Sequence, residues 1–340
     1  MPLRITIIGK GLAGSWLGYE LVQHGCSVRF FDVPDRNRAS NVAAGVINPI
    51  TGSRPQLQWR ADEIIPYSLN AYRQLEERTG VSLLHSSTIR RIFASEKDRQ
   101  FWMTAVDRGL KAPWARIEPG IVNSVPAVLG GVEYDGYVVD AQASLTALES
   151  VTPAECNAEE VDAYTPADNE LVVWCTGWRA SKSTLWNWLP FQPVKGDILD
   201  VVHTAEPLTA IYTQGIGVVP RQHSPNEPNV QYLRVGSTYV WDFDDTQPDR
   251  EAGENLLTAA EKLLNRRLTV VDHRAAVRPA LQNKRPVIGK HPRYARHYIV
   301  NGLGLKGILW APWTAKQCAN LILNNIAVDP EISTMRWWRE

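Results

Sequence analysis

The chain has 340 residues, of which 44% are hydrophobic and 21% are charged, a composition typical of a soluble globular protein with one large domain or two interleaved ones. Its 36 basic residues balance 36 acidic ones, so charge gives no reason to expect binding to nucleic acid or to an anionic membrane. The four cysteines are widely spaced and the seven histidines lack a ligand spacing, so no metal site is expected. No apolar run reaches the roughly 18 residues of a membrane-spanning helix.

The first predicted element is a buried strand at Arg4–Ile8, which leads directly into a glycine-rich turn and an amphipathic helix. Gly9 would permit the tight turn, Gly11 would let a pyrophosphate approach the backbone, and Gly14 would let the helix pack closely on the sheet. Asp32 ends the next strand, 18 residues after Gly14, close to the roughly 20 expected for a carboxylate that binds a ribose. This pattern predicts a dinucleotide site with the phosphates at the helix N-terminus, the alternative being a glycine-rich turn in an ordinary α/β protein. Because the strand begins at residue 4, we expect no signal peptide and a cytoplasmic location.

Helical periodicity and strand-like runs alternate along the rest of the chain. Residues 111–139 are rich in proline and glycine and are expected to form loops and edge strands, whereas residues 191–242 have period two and predict an antiparallel sheet. Helices are predicted over residues 61–79, from Ser95 to about Gly109, from Asp140 to Leu148, over 249–265, and from a cap at Thr314 to Asn324. Further strands are predicted at residues 171–175, 267–277 and 298–300.

Strands of the dinucleotide-binding type therefore occur at the start, middle and end of the chain, with the period-two segments between them. This order predicts an α/β fold with a Rossmann-type domain assembled from discontinuous segments, and an inserted α+β domain with an antiparallel sheet for the substrate. The expected boundaries are 1–55, 135–190 and 270–330 for the cofactor-binding domain, 56–134 and 191–269 for the substrate-binding domain, and 331–340 for a C-terminal tail.

A second glycine-rich turn, at residues 301–308, indicates which cofactor the site holds. A nicotinamide enzyme usually builds two mononucleotide-binding halves in sequence, whereas a helix start this far along suits a flavin enzyme, because a helix N-terminus stabilises negative charge on the reduced ring. Lys306 could add to that effect, the alternatives being a solvated surface lysine and a plain strand-to-helix turn.

Eight segments of the chain, spread over most of its length, follow one another in the order of a known family. They are residues 9–14, 42–49, 193–196, 235–239, 278–279, 285–289, 301–307 and 311–312. On these segments the chain resembles the FAD-dependent D-amino acid oxidase and glycine oxidase family. The resemblance implies oxidation of a C–N bond by hydride transfer to flavin N5, hydrolysis of the imine product, and reoxidation of the flavin by oxygen or another acceptor. Since no cysteine lies near residues 278–289, non-covalent FAD is expected.

The resemblance also assigns site residues. Arg278 matches the family's carboxylate-binding arginine, an alternative being a structural ion pair, and Tyr239 and Lys306 are the other predicted catalytic residues. Where glycine oxidase has a second substrate arginine, this chain has Leu305, which puts a free amino acid as the substrate in doubt. Arg54, Arg60 and Trp310 are further candidates. The predicted cofactor-binding residues are Gly9, Gly11, Leu12, Ala13, Gly14, Asp32, Ser40, Ala44, Gly45, Val46, Val161, Thr176, Gly177, Gly302, Gly304, Lys306, Gly307 and Ile308.

Three other functions stay open at this point. One is a flavoprotein that acts on the side chain of a modified tRNA base, against which the zero net charge and the absence of a basic patch argue. The second is a nicotinamide-dependent dehydrogenase, and the third is a flavin-binding protein without turnover. The expected partners are a small amine or amino-acid substrate and an electron acceptor, with neither nucleic acid nor membrane insertion. The sequence leaves the oligomeric state open.

Overall fold

The first strand belongs to a mostly parallel sheet, and most of the described residues pack against this sheet or against a second, mostly antiparallel one. The computed structural model describes residues 2–35, 37–52, 54–110, 118–120, 129–221 and 229–339. Its helices are α1 (Leu12–Gln23), α2 (Ala39–Val42), α3 (Ala61–Thr79), α4 (Glu96–Asp107), α5 (Ala141–Ser150), α6 (Arg250–Leu264) and α7 (Gly307–Asn324). Its strands are β1 (Arg4–Ile8), β2 (Ser27–Phe31), β3 (Val46–Ile47), β4 (Ile50–Thr51), β5 (Gln56–Leu57), β6 (Leu84–Ile92), β7 (Glu118–Gly120), β8 (Gly131–Val139), β9 (Glu155–Asn157), β10 (Glu170–Trp174), β11 (Val194–His203), β12 (Ala210–Gln214), β13 (Ile216–Pro220), β14 (Gln231–Gly236), β15 (Thr269–Arg278), β16 (Val287–Lys290) and β17 (His297–Asn301).

The first sheet has the order β16-β17-β10-β1-β2-β9, and its strands are parallel except for β16. Ile8 at the end of β1 lies level with Phe31 on β2 and with Trp174 on β10. β1 is buried from Ile5 onward, as expected for a parallel strand covered on both faces. The βαβ unit and the α/β class predicted from the sequence are therefore confirmed, and the strand predicted at 171–175 is β10.

Most helix boundaries follow the capping signals in the sequence. Ser95, Asp140 and Asp249 each accept a hydrogen bond from the backbone N–H three residues ahead, which satisfies one of the free donors at a helix start. Gly80 ends α3 in the left-handed conformation at φ 71°, where glycine carries no steric penalty. The predicted helices at 61–79, 95–109, 140–148 and 249–265 are thus confirmed to within two residues.

The last helix begins earlier than the sequence signals indicate. Thr314 was expected to cap it, but α7 begins at Gly307 and Thr314 lies inside it, where its hydroxyl donates to the carbonyl of Ala311. Pro312 has no N–H and so cannot bond the carbonyl of Ile308 four residues back. The hydroxyl of Tyr72 on α3 donates to that carbonyl instead, at 2.9 Å. A contact from another helix therefore lets α7 continue through the proline.

The second sheet has the order β15-β11-β14-β13-β12-β6-β8-β3, with β7 beside β8. Its pairs are antiparallel except for β12 with β6, and the predicted antiparallel sheet over 191–242 is confirmed by β11 to β14. The prediction of edge strands over 111–139 is wrong for β8. This strand pairs along its whole length with β6 on one side, and on the other side it pairs with β3 and β7. Residues 111–117 and 121–128 lie outside the described residues.

The predicted domain boundary at residue 270 falls inside β15, a strand of the second sheet. β15 pairs with β11, and Arg278 at its end lies level with Val194. The tail predicted at 331–340 packs on the first sheet, where the N–H of Ile288 donates to the carbonyl of Ile332 at 2.8 Å. The domain ranges stay a prediction. None of the helices in the described residues is long and apolar enough to cross a membrane.

Candidate active site

A cavity lies where the carboxyl ends of β1, β10 and β17 meet the second sheet, and we call it the central cavity. Ligands bind at this edge in open α/β sheets. Gly14, Tyr239, Gly302 and Lys306 are predicted site residues that do not line it. The predicted residues that do line it are Gly9, Gly11, Leu12, Ala13, Asp32, Ser40, Ala44, Gly45, Val46, Val161, Thr176, Gly177, Arg278, Gly304, Gly307 and Ile308.

The turn between β1 and α1 has no room for side chains. Gly9 has φ +100°, and a Cβ there would lie 2.4 Å from the carbonyl oxygen of Cys175. A Cβ on Gly14 would lie 1.9 Å from the carbonyl oxygen of Gly9, which explains why Gly14 is needed although it faces away from the central cavity. At Gly11 a Cβ would lie 2.9 Å from Ser40 Oγ. The turn is therefore closed by backbone contacts and leaves the start of α1 accessible from the cavity.

The carboxylate of Asp32 is already engaged on two sides. Its Oδ1 accepts from the N–H of Lys10 at 2.9 Å, and its Oδ2 accepts from Arg38 at 2.7 Å. Arg38 also donates to the carbonyls of Lys10 and Val33 and lines the central cavity. A ribose hydroxyl would therefore bind a carboxylate that Arg38 has fixed in place. Arg38 is not among the predicted site residues, because no motif position marks it.

The segment after α2 forms one wall of the cavity. Gly45 has φ +80°, and a Cβ there would lie 2.0 Å from the carbonyl oxygen of Val139. The N–H of Val139 donates to the carbonyl of Gly45 at 2.9 Å. Arg234 on β14 donates to the carbonyl of Ala43 at 2.8 Å and forms an ion pair with Asp200. The second sheet therefore holds the backbone of the wall that contains Ala44 and Val46.

Asn301 joins the two turns that lead away from β10 and β17. Its side-chain amide donates to the carbonyl of Gly177 at 2.9 Å, and its Oδ1 accepts from the N–H of Gly302 at 2.7 Å. A Cβ on Gly302 would lie 2.3 Å from Leu281, so Gly302 faces away from the cavity. Asn301 itself lines the cavity. It belongs to the second glycine-rich turn but is not among the predicted site residues.

Arg278 lies beside the second glycine-rich turn. The N–H of Gly304 donates to the carbonyl of Pro279 at 3.1 Å, which joins the turn to the end of β15. The guanidinium fits against Gly196 on β11, where a Cβ would lie 2.1 Å from one of its nitrogens. It donates to the hydroxyl of Ser237 and to the carbonyl of Thr238. Arg278 and Ser237 both line the central cavity.

Arg278 carries its charge in a buried position. It is 9% exposed, and no carboxylate lies within ion-pair distance of it in the part of the chain that the structure describes. Burial lowers the pKa of the Arg278 guanidinium, while the more distant Asp197 and Tyr239 act in the opposite direction. The alternative of a structural ion pair therefore finds no partner among the described residues.

The other two predicted catalytic residues lie next to the cavity rather than in its wall. The ring of Tyr239 lies under the Arg278 guanidinium, 5.1 Å from ring centre to carbon. The ammonium of Lys306 lies 4.9 Å from the ring centre of Trp310. Burial, together with the charges of Arg285 and Lys284, lowers the pKa of Lys306 to about 8.

The remaining candidates do not reach the central cavity. Arg60 forms ion pairs with Glu63 and Asp329, and Arg54 lies over the ring of Phe101. Trp310 is buried. Leu305, which is not one of these candidates, lines the cavity. Among the described residues no group of three metal-ligating side chains converges.

The central cavity fits FAD. The first turn of α1 faces it and carries no acidic residue. The N–H of Leu12 donates to Ser40 Oγ at 3.0 Å, so a diphosphate would bind beside Ser40 at the positive end of the helix. Asp32 lines the end that would take the ribose, and Gly304 and Gly307 line the region that would take the flavin. Cys175 also lines the cavity, and burial raises the pKa of its thiol to about 12.

Comparisons with known proteins agree with this assignment. The family model for FAD-dependent oxidoreductases matches residues 4–321. Glycine oxidase from Bacillus subtilis is 24% identical over 94% of this chain and 92% of its own length, and glycine oxidase from Pseudomonas putida is 24% identical over 95% of each.

Solved structures share the fold over almost the whole chain. The structure of iminodiacetate oxidase from Chelativorans sp. BNC1 superposes with a TM-score of 0.80 at 19% identity and covers 97% of this chain and 98% of that one. Glycine oxidase from Geobacillus kaustophilus gives 0.78 at 22% identity, covering 96% and 97%. The fold, the glycine turns and the family match together show that the chain belongs to the DAO family of FAD-dependent oxidoreductases, and that its cofactor is FAD.

Proposed function

We propose that this protein oxidises the C–N bond of an amino acid or a related amine that carries a carboxylate. The observation that supports the proposal most strongly is the buried Arg278 guanidinium, which lines the central cavity without a carboxylate partner among the described residues. An isolated buried charge is unfavourable, and a planar guanidinium binds a carboxylate through two parallel hydrogen bonds. A substrate carboxylate would supply the missing counter-ion.

The position of Arg278 would also orient the substrate. The hydrogen bond from Gly304 to Pro279 fixes the distance between the arginine and the second glycine-rich turn. A carboxylate on Arg278 would therefore place the neighbouring amine carbon close to this turn, where the flavin ring is expected. Such positioning accounts for a large part of the rate when the cofactor performs the redox chemistry.

When bound, FAD supplies the hydride acceptor at N5, so the amine becomes an imine that water hydrolyses, and oxygen or another acceptor takes the electrons. The residues beside Arg278 that line the cavity are apolar or small except for Ser237, and none of them is a base. The substrate amine must therefore lose its proton before oxidation, and we expect the rate to rise with pH.

Tyr239 and Lys306 have supporting roles in this proposal. Tyr239 would hold the Arg278 guanidinium from below, at the 5.1 Å distance of a cation–π contact. Lys306 would add to the positive end of α7 and so stabilise the negative charge that develops on the reduced cofactor. FAD would be bound non-covalently, because the pKa of the Cys175 thiol, about 12, disfavours the nucleophilic thiolate.

The test is anaerobic titration of the purified yellow protein with glycine, sarcosine, D- and L-amino acids and simple amines without a carboxylate. Bleaching of the flavin by a carboxylate-bearing amine, and not by its decarboxylated counterpart, is the expected result. Equal bleaching by both would remove Arg278 from the mechanism, and no bleaching by any amine would refute the proposed function.

A further inference from the structure

The segment that follows β14, residues 237–243, lies outside the regular strands and carries a row of side chains that begins at the central cavity. Ser237, Tyr239 and Trp241 belong to this row, and side-chain contacts connect them. Ser237 lines the cavity and bonds Arg278, and the ring of Tyr239 lies under the same guanidinium. The ring of Trp241 comes next, 6.1 Å from that of Tyr239 at an interplanar angle of 24°.

These two aromatic rings are unusually exposed. Tyr239 is 48% exposed and Trp241 is 66% exposed, although large aromatic side chains are normally buried on most of their surface. The fold does not need the rings to hold the segment in place. The backbone of Val240 forms two 2.9 Å hydrogen bonds with Lys195, and Lys195 in turn forms an ion pair with Asp245. These contacts therefore hold in place the backbone that carries the two exposed rings.

The same segment then contacts a second part of the cavity wall. Phe243 contacts Trp178 at 6.3 Å between ring centres, and Trp178 lines the cavity. The exposed aromatic row is thus joined to the cavity wall at Arg278 and at Trp178. Asp242 and Asp244, both exposed, lie beside Trp241 in the chain and give this surface a negative charge.

We propose that Tyr239 and Trp241 form a subsite for a large apolar group on the substrate, so that the preferred substrate is a bulky amino acid rather than glycine. The inference rests on the proposed function, because Arg278 must hold the carboxylate for the rest of the molecule to extend along the row. The exposed faces of the two aromatic rings favour contact with a planar apolar group. A second carboxylate at this position would meet the negative charges of Asp242 and Asp244, which disfavours a dicarboxylate.

The first experiment compares substrates through the rate of anaerobic flavin reduction. The ratio of the second-order rate constant of flavin reduction by the reactive enantiomer of phenylalanine to that by glycine is expected to exceed one in the native protein. Trp241→Ala should lower this ratio about tenfold, in line with the loss of one aromatic stacking contact and its buried area. Ile326→Ala is the matched control, since Ile326 is a 54% exposed apolar residue that does not line the cavity, and it should leave the ratio unchanged.

The second experiment measures binding without turnover. Acetate and 3-phenylpropanoate are titrated against the flavin absorbance of the holoenzyme, and the phenyl group should tighten binding about tenfold more in the native protein than in Trp241→Ala. A change of less than twofold in both ratios, or a preference for aspartate or lysine over phenylalanine, would overturn the subsite. If no amine reduces the flavin, the proposed function fails, and the carboxylate titration still decides whether Trp241 contacts a bound apolar group.

Discussion

The change that tests the site most directly is Arg278→Met, which removes the charge and keeps most of the volume. The guanidinium is buried and lacks a carboxylate partner in the described part of the chain, so its substitution would leave a bound substrate carboxylate unpaired in the cavity. Loss of one partner from a buried charge pair costs roughly 2–4 kcal/mol. This corresponds to an increase in KM of about 30- to 700-fold for an amino-acid substrate.

Stability should respond in a different way. The substitution removes the hydrogen bonds to Ser237 and Thr238, worth about 1 kcal/mol each, but it also removes a buried charge without a counter-ion, which is itself unfavourable by a few kcal/mol. The two effects nearly cancel. We expect the free energy of unfolding of the holoenzyme, measured by urea denaturation, to change by less than about 1 kcal/mol.

The assay is steady-state oxidation of the best amino acid from the substrate panel, with Arg60→Met as the control. Arg60 is an equivalent cation that forms ion pairs outside the cavity, so its variant should keep the native KM. The reasoning is refuted if Arg278→Met leaves KM within twofold of the native value. It is also refuted if the variant loses several kcal/mol of stability, since Arg278 would then be a structural residue.

Three further predictions concern the frame around the site. Gly14→Ala should abolish FAD retention, because its Cβ would lie 1.9 Å from a backbone carbonyl; a normal ratio of FAD to protein after gel filtration would contradict this. Lys306→Met should raise the melting temperature at pH 7, since the folded state lowers the pKa of Lys306 from 10.5 to about 8 and so opposes the charged form. The loss of stability caused by the charged lysine is present below pH 8 and disappears as the pH rises towards 10.5. The increase in melting temperature should therefore become smaller between pH 8 and pH 10.5. Tyr72→Phe should cost about 1–3 kcal/mol in unfolding free energy by leaving the Ile308 carbonyl unpaired, and less in a Pro312→Ala background, where a backbone N–H can take its place.

The elements predicted best were those determined by neighbouring residues. The β1–α1–β2 unit and the helix starts at Ser95, Asp140 and Asp249 depend on glycine geometry and on caps within three residues, and such signals are visible in a single sequence. The start of α7 was missed for the opposite reason. The Tyr72 hydroxyl that compensates for Pro312 lies more than two hundred residues earlier in the chain.

The site residues also divide into those that local sequence signals predict and those that they do not. Most of the predicted cofactor residues line the central cavity because the glycine turns place them there. No motif position marks Arg38, although it lies only six residues from the Asp32 carboxylate that it fixes. The contact from Asn301 to Gly177 joins segments 124 residues apart in the chain, so a single sequence does not reveal it. Lys306, one of the predicted catalytic residues, lies next to the cavity with its ammonium against Trp310.

The bond from Asn301 to Gly177 has a consequence for how the protein is assembled. The cavity is lined by Gly11 near the start of the chain and by Ile308 near its end. β10 lies between β1 and β17 in the sheet and comes from the middle of the chain. A chain still being synthesised therefore lacks one side of the cofactor site until residue 308 has been added and β17 has joined β10. Retention of FAD is then a late event, and the yellow colour of the bound flavin reports that the last parallel strand of the first sheet is in place.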